Sequence, residues 1–488
     1  MKKQSIWLEG LKFKPKPKLT KGIHTDILII GGGIAGISTA FSLKDSKLDI
    51  TLIDESKIGT GVSAHTTGKL TFLQELIYQK LEANFGQDIC DLYLKSQKEA
   101  IEIVKQNVVK FNIDCDFEGV ASYVFTNNIK YLKNFRKEEL ILNRNKIAYK
   151  IKNEISLFPV KYSIRVDDTA VFHPVKYILA LKEICLKKGI RIYENTKAIT
   201  LKQQGEEYLV DTPNGYIRAK KVIICTHYPF FLTPGFIPLR THIERSYLCA
   251  GTVARTKKIS AITNTYPTKS LRYYQGKHPY LLYIAESHKL GNNLDYQANY
   301  NLLMETANEF MPKIDFIWQN QDIMTNDYLP LIGKISKDNN NLLIATGFNT
   351  WGMTNGVIAG KILSDLILEK TNPYTFLFAP YRGTSIDQIK NFMIDSFQIS
   401  KSYIISKIKS YYSFYLDEVK IKQLNGKKVG IYIDEFGKYH IVSRICPHLK
   451  CSLTFNTFSK TWDCPCHGSR FDIDGNCLNG PSAYNIKI

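Results

Sequence analysis

A chain of 488 residues is too long for one hydrophobic core and implies two or three domains. Its 44% hydrophobic share is that of a globular enzyme, and with no run of about eighteen apolar residues a membrane-spanning helix is excluded. A net charge of +20 admits a nucleic-acid or membrane partner, but the lysines are scattered and accompanied by abundant Asn, Ile, Tyr and Phe, so the charge reads as a compositional effect. The opening MKKQSIWLEGLKFKPKPKLT lacks the apolar core of a secretory signal. Cys90, Cys115, Cys185, Cys225, Cys249 and Cys477 show no framework spacing, which suits a reducing cytoplasm.

The first chemistry begins at Asp26. DILIIGGGIAGISTAFSLKDSKLDITLIDES reads as a buried parallel strand, a glycine turn, a helix and a second strand. Gly31, Gly33 and Gly36 make G-x-G-x-x-G: the first permits the turn, the second lets backbone approach a pyrophosphate, and the third allows close helix-to-strand packing. Asp54 ends the second strand where a carboxylate accepts a ribose hydroxyl. The chain has only one such fingerprint, which favours one permanently bound FAD meeting substrate directly over a paired NAD and flavin site. GTGVSAHTTGKLT, residues 59–71, resembles the loop after the second strand in D-amino-acid oxidase-like flavoproteins. Within it His65 and Thr66 are candidate cofactor contacts. S-A-H-T-T-G resembles the site where dimethylglycine and sarcosine dehydrogenases attach FAD through histidine, although Ala64 replaces the aromatic residue found there. Covalent attachment, a noncovalent contact and a structural histidine all stay open.

Residues 76–109 are amphipathic and helical. The region from Cys115 to Thr126 and the stretch after it alternate like strands. Phe172-His173-Pro174 opens a helix over 175–188, with His173 as an N-terminal contact. Strands are expected over 191–200, 207–212 and 216–224, the last returning to the FAD domain, with Cys225 a buried small side chain. Residues 237–312 alternate as an antiparallel sheet over the flavin. There Arg245, Tyr247, Arg272, Tyr273 and Tyr274 are candidates for holding a substrate carboxylate, or else polar and aromatic packing of an ordinary sheet. No acid or base stands out, and flavin amine oxidation by hydride transfer requires none. NDYLPLIGKI, with Asp327, Pro330 and Gly333, and NLLIATGFNTWGMTNGVIAGKILSDLI resemble the closing motif of the same flavoproteins. That resemblance places Gly347, Gly352, Met353 and Thr354 at FAD, with a helix N-terminus facing the flavin.

After a linker over 371–415, expected to be helical, short strands lead to CPHLKCSLTFNTFSKTWDCPCHGS. Cys446 and His448 form C-x-H, and Cys464 and His467 form C-x-x-H. Two thiolates and two imidazoles suit zinc or an iron-sulfur centre, but zinc fingers pair cysteines in one loop and histidines in the other. The pattern resembles the Rieske 2Fe-2S proteins. The resemblance implies that Cys446 and Cys464 hold one iron, that His448 and His467 hold the other, and that Cys451 and Cys466 form a disulfide clamping the loops. Ser469 matches a hydroxyl donor to a bridging sulfide. Phe471 stands where respiratory members have Tyr, which implies a potential below the top of the range of roughly −150 to +300 mV.

The expected architecture is an α/β Rossmann-like FAD-binding domain with an antiparallel-sheet substrate domain, D-amino-acid oxidase-like, over 24–370, and a small all-β Rieske domain over 416–488. The FAD-binding parts are expected at about 24–110, 160–230 and 325–370, and the substrate sheet at about 111–159 and 237–312. The expected function is oxidation of a small amine, amino acid or similar metabolite, with electrons passing between FAD and the 2Fe-2S cluster to an external carrier. A redox relay or sensor acting on a protein partner is the alternative, and a nucleic-acid-modifying flavoenzyme a weaker one.

Overall fold

The computed structural model describes residues 1–155, 157–229, 237–254, 258–290, 295–383, 419–424, 426–448, 450–466 and 468–488. Its first sheet is centred on strand Ile23–Ile30, buried on both faces towards its end, as a continuous apolar run requires. Parallel neighbours are Ile50–Ile53 on one side and Gly215–Ile224 on the other. Arg191–Tyr193 and Leu342–Thr346 extend the two flanks, again in parallel. Gly31 leaves the first strand with φ +104° and packs so closely that a Cβ there would lie 2.5 Å from the Cys225 carbonyl oxygen. Helix Ile34–Leu43 then crosses helix Gly352–Ile367, where a Cβ on Gly360 would stand 2.6 Å from that of Ser38.

The second sheet has eight strands in the order Phe316–Thr325, Thr241–Thr252, Pro279–Lys289, Ser270–Gln275, Ser260–Thr263, Ser122–Thr126, Phe158–Val166 and Tyr149–Ile155. Helix Tyr296–Ala307 packs on it, adding Tyr300, Leu303 and Ala307 to a core with Tyr247 and Tyr283. Three stretches differ from the sequence reading. Leu132–Arg144 is a helix in the region read as strands: Phe135, Glu138, Glu139, Ile141 and Leu142 recur at helical spacing and are buried, and the two glutamates break the apolar pattern of that face. The expected strand 191–200 is two, Arg191–Tyr193 and Thr200–Gln204. Helix 76–109 is likewise two, Ile77–Phe85 and Gln87–Lys110, broken at Gly86 with φ +85°. Within the linker Thr375–Phe378 is a short helix, and the rest from 384 lies outside the described residues.

The last part of the chain is all β. Val419–Leu424, Lys427–Ile433 and Tyr439–Ser443 form one antiparallel sheet, and Thr454–Asn456, Thr461–Asp463, Arg470–Phe471 and Cys477–Asn479 another. Buried Trp462 fills the space that a Gly430 side chain would occupy, locking the two sheets together. No helix among the described residues is long and apolar enough to cross a membrane.

Candidate functional site

A cavity of about 380 Å³ runs along the carboxyl ends of the parallel strands. Gly31, Gly33 and Ile34 line its middle, Asp54, Glu55, Ser56, Thr196 and Lys197 one end, and His65, Thr66, residues 319–323, Phe348, Gly352 and Met353 the other. Gly36 is set back: its Cβ would fall 1.8 Å from the Gly31 carbonyl oxygen, so only glycine lets the helix seat against the turn. Asp54 accepts from the Gly32 amide (2.7 Å) and the Ser56 amide (2.7 Å), and burial nevertheless pushes its carboxyl up to about 6. Ser63 Oγ accepts from Ile34 N at 3.0 Å, meeting one of the first amides of the helix.

The loop carrying His65 is gripped through three successive carbonyls. Trp318 Nε1 donates to His65 O at 3.1 Å, Trp7 Nε1 to Thr66 O at 2.6 Å, and Arg272 Nη1 to Thr67 O. His65 Nδ1 lies 2.9 Å from Gly61 O, and since a carbonyl only accepts, that nitrogen carries the proton and Nε2 keeps its lone pair. Burial, then the nearby Arg470 charge, hold the ring below its usual pKa, so it is neutral at pH 7.

At the same end, Thr350 sits at φ +67°, a conformation β-branched residues rarely adopt. Asn349 fixes the turn: its Oδ1 accepts from Thr325 N at 2.7 Å and its Nδ2 donates to Tyr328 O at 2.9 Å. Helix Gly352–Ile367 starts there, with Gly352 and Met353 in the wall. Thr354 is just behind, bonded to Gln74, and Gly347 is buried against Thr325.

Strand Phe316–Thr325 carries four consecutive polar residues, Gln319-Asn320-Gln321-Asp322, and all four line the cavity. The Gln319 amide is buried, and neither end has a partner among the described residues, so a polar ligand in the cavity would complete it. Burial, then the Glu244 carboxylate directly across the strand pair, push Asp322 up to about 7. Asp322 is a candidate proton carrier that sequence reasoning missed. A run of four polar residues inside an otherwise apolar strand was the available signal.

Arg245, Arg272 and Tyr273 lie away from the cavity wall. Arg272 is fully buried, donates to Thr67 O and to Phe172 O (2.9 Å), and lies over the Trp7 ring. Tyr273 bonds Gln275. Tyr247 packs on Tyr300, and Tyr274 meets Asp116 at 3.0 Å. Arg245 is also fully buried and pairs with Asp463 at 2.8 Å. His173 caps helix Pro174–Lys187, accepting from Lys176 N at 3.2 Å.

In the β domain the two ligand-type loops close on their own cysteines. Cys446 N donates to Cys451 O (2.9 Å) and Lys450 N to Cys446 O (3.0 Å); Cys464 N donates to Ser469 O (2.8 Å) and Gly468 N to Cys464 O (3.1 Å). Cys451 and Cys466 form a disulfide that joins the loops. The Cys464 sulfur lies within 4.8 Å of both bridged sulfurs, a grouping produced by the clamp, since bridged sulfurs are not thiolate ligands. Cys446 and Cys464 are buried, His448 half-buried, and His467 lies outside the described residues. Ser469 Oγ accepts from Ser482 N at 3.0 Å, which leaves its own hydrogen to donate. The donor set is therefore soft sulfur plus imidazole on two pinned loops, which fits an iron-sulfur group.

Residues 26–366 match the family model for FAD dependent oxidoreductases, and residues 408–488 that for the Rieske 2Fe-2S domain. The chain belongs to the FAD dependent oxidoreductase family, D-amino-acid oxidase-like in fold, and carries a C-terminal Rieske domain; its cofactors are FAD and a 2Fe-2S cluster. It is 31% identical to the Bacillus subtilis (strain 168) chain described as a Rieske 2Fe-2S iron-sulfur protein, YhfW, over 99% of this chain and 97% of that one. It is 23% identical to gamma-glutamylputrescine oxidoreductase of Escherichia coli (strain K12), covering 73% and 86%. Among solved structures, glycine oxidase from Geobacillus kaustophilus aligns with TM-score 0.63 at 15% identity, over 74% of this chain and 99% of that one.

Proposed function

We propose that the protein oxidises a small amine, amino acid or similar metabolite at FAD and passes the electrons through the Rieske cluster to an external carrier.

 The observation that carries this proposal is the contact between the cluster domain and the cavity wall. Gln321, in that wall, is oriented by its neighbours so that its amide nitrogen donates to Gly468 O (3.1 Å) and its oxygen accepts from Arg245 Nη2 (2.6 Å). Gly468 directly follows His467, so one side chain separates the cavity from a cluster-ligand loop.

Gly31, Gly33 and Asp54 would hold the dinucleotide, with Gly36 allowing the turn to close. His65, Thr66, Gly352 and Met353 would border the flavin, with Gly347 and Thr354 shaping the turn behind them. Cys446, His448, Cys464 and His467 would hold the cluster. When bound, FAD takes two electrons and the cluster moves them singly. The chain's own part is to orient the donor, to exclude water, and to hold a proton at Asp322, whose raised pKa suits exchange near neutral pH. An amine donor is supported by two relatives whose names state such substrates, gamma-glutamylputrescine oxidoreductase and glycine oxidase of Bacillus subtilis. A cytoplasmic setting is supported by the unpaired thiols of Cys90, Cys115, Cys185, Cys225 and Cys249, none of which is joined in a disulfide.

An anaerobic panel of amines and amino acids, followed at the flavin and cluster absorption bands together, tests the proposal. Flavin bleaching followed by cluster reduction is expected. Bleaching by none of the panel, with rapid reduction by a protein donor, would replace it with a relay function. Acid precipitation settles the role of His65: colour left wholly in the supernatant excludes a covalent bond.

A further inference from the structure

The cavity is not built by the flavin module alone. Arg470 and residues 478–482, all from the Rieske domain, line it together with the glycine turn and the Gln319–Asp322 run. Two ties hold them there. At one end Lys197 Nζ donates to Ser482 O at 3.3 Å while pairing with Glu55 at 3.2 Å, beside Asp54 and Ser56. At the other, Asp463 pairs through Oδ2 with Arg245 (2.8 Å) and through Oδ1 with Arg470 (3.4 Å), and the Arg245 and Asp463 side chains are wholly screened from solvent. Tyr300 stacks on Phe458 at 3.6 Å between centroids, and Lys3 Nζ donates to Phe458 O at 2.7 Å, so the contact continues over the substrate sheet and the N-terminal segment.

We propose that the Rieske domain is a structural part of the FAD site: residues 478–482 close its adenosine end, and Arg470 presents a cation at its flavin end. Arg470 spends Nε on Asp463 and Nη1 on Asn479 Oδ1 (3.3 Å), which leaves donors of its five for a group in the cavity. Its position near His65 agrees with its depressing effect on that ring. A cation here favours the more negative, reduced flavin, and the covering segment slows release of the dinucleotide. The domain therefore stays docked during electron transfer, because lifting it would open the cofactor site and strand a buried ion pair. The inference rests on the FAD assignment.

The test uses the full-length protein carrying both cofactors, as wild type, Arg470→Ala and Arg470→Lys, with cluster content checked by absorption and electron paramagnetic resonance. Flavin midpoint potential and FAD release are both measured, so that a covalent flavin is still informative. For Arg470→Ala we expect a more negative flavin potential and, for noncovalent FAD, about tenfold faster release, with the cluster intact; Arg470→Lys should restore most of the potential. An unchanged potential and unchanged retention of FAD in Arg470→Ala with an intact cluster would overturn the proposal. Wild-type protein devoid of FAD would instead strike the cofactor assignment on which it rests.

Discussion

Trp7 donates its indole proton to the carbonyl of Thr66 at 2.6 Å, tying the seventh residue of the chain to the loop that carries His65 and lines the cavity. The indole is completely buried, with Arg272 over its ring and Tyr274 and His173 against its edge. The N-terminal segment is thus part of the flavin module.

Replacing Trp7 by Phe keeps most of the bulk but leaves Thr66 O without its donor. The expected cost is about 1–3 kcal/mol, seen as a lower thermal midpoint, and Trp7→Ala should cost about 3–5 kcal/mol. Equal midpoints for Trp7→Phe and wild type would show that the indole proton contributes nothing.

Arg245→Met leaves the Asp463 carboxylate buried with Arg470 (3.4 Å) as its remaining cation, beside the neutral donors Thr461 (2.8 Å) and Asn456 (3.4 Å). Breaking a buried pair in this way costs about 3–5 kcal/mol. Calorimetry should show the Rieske transition separating from that of the flavin module and moving down in temperature, whereas an unaltered single transition would argue against a docked domain.

Asp322 gives a pH dependence of defined sign. Its carboxyl is held at about 7 in the fold against 3.8 for the unperturbed group, so the folded state binds the proton more tightly than the unfolded chain. Its contribution therefore favours folding at low pH and is lost as pH rises from about 4 to about 7, with no further change above that. Asp322→Asn should flatten this part of the stability profile; chemical denaturation from pH 4 to 8 on both proteins measures it.

Removing the Cys451–Cys466 bridge, as Cys451→Ala with Cys466→Ala, frees the two ligand loops to part. The cluster should then be lost to a chelator several-fold faster than from wild type, followed by the decay of its visible absorption. Equal rates would mean that the sheets alone hold the loops in place.

The motifs were legible because they are local. Gly31, Gly36 and Asp54 lie within one strand-turn-helix-strand unit, and their backbone demands can be read from residue type and spacing alone. Cys446, His448, Cys464 and Cys466 sit on two short turns for the same reason. The placement of Arg245 and Arg272 was not legible. Each is an arginine on a strand of the expected substrate sheet, and nothing local distinguishes one that faces a ligand from one that holds a distant carbonyl or an Asp more than two hundred residues later. Gln321 was overlooked for the same reason, since its importance comes from Gly468, on another domain. The helix Leu132–Arg144 was missed because its buried face includes Glu138 and Glu139, which interrupt the apolar pattern; Tyr162 and the amides of Tyr78 and Gln79 supply their partners.

Asp463 and Cys464 are adjacent, so the docking ion pair and a cluster-loop thiol share one peptide unit. Filling the loops with iron and sulfide would rigidify the same backbone that presents Asp463 to Arg245, and by linkage the seated domain would then hold its metal more tightly than a detached one. On that linkage, loss of iron and sulfide is expected to loosen residues 478–482 where they line the cavity.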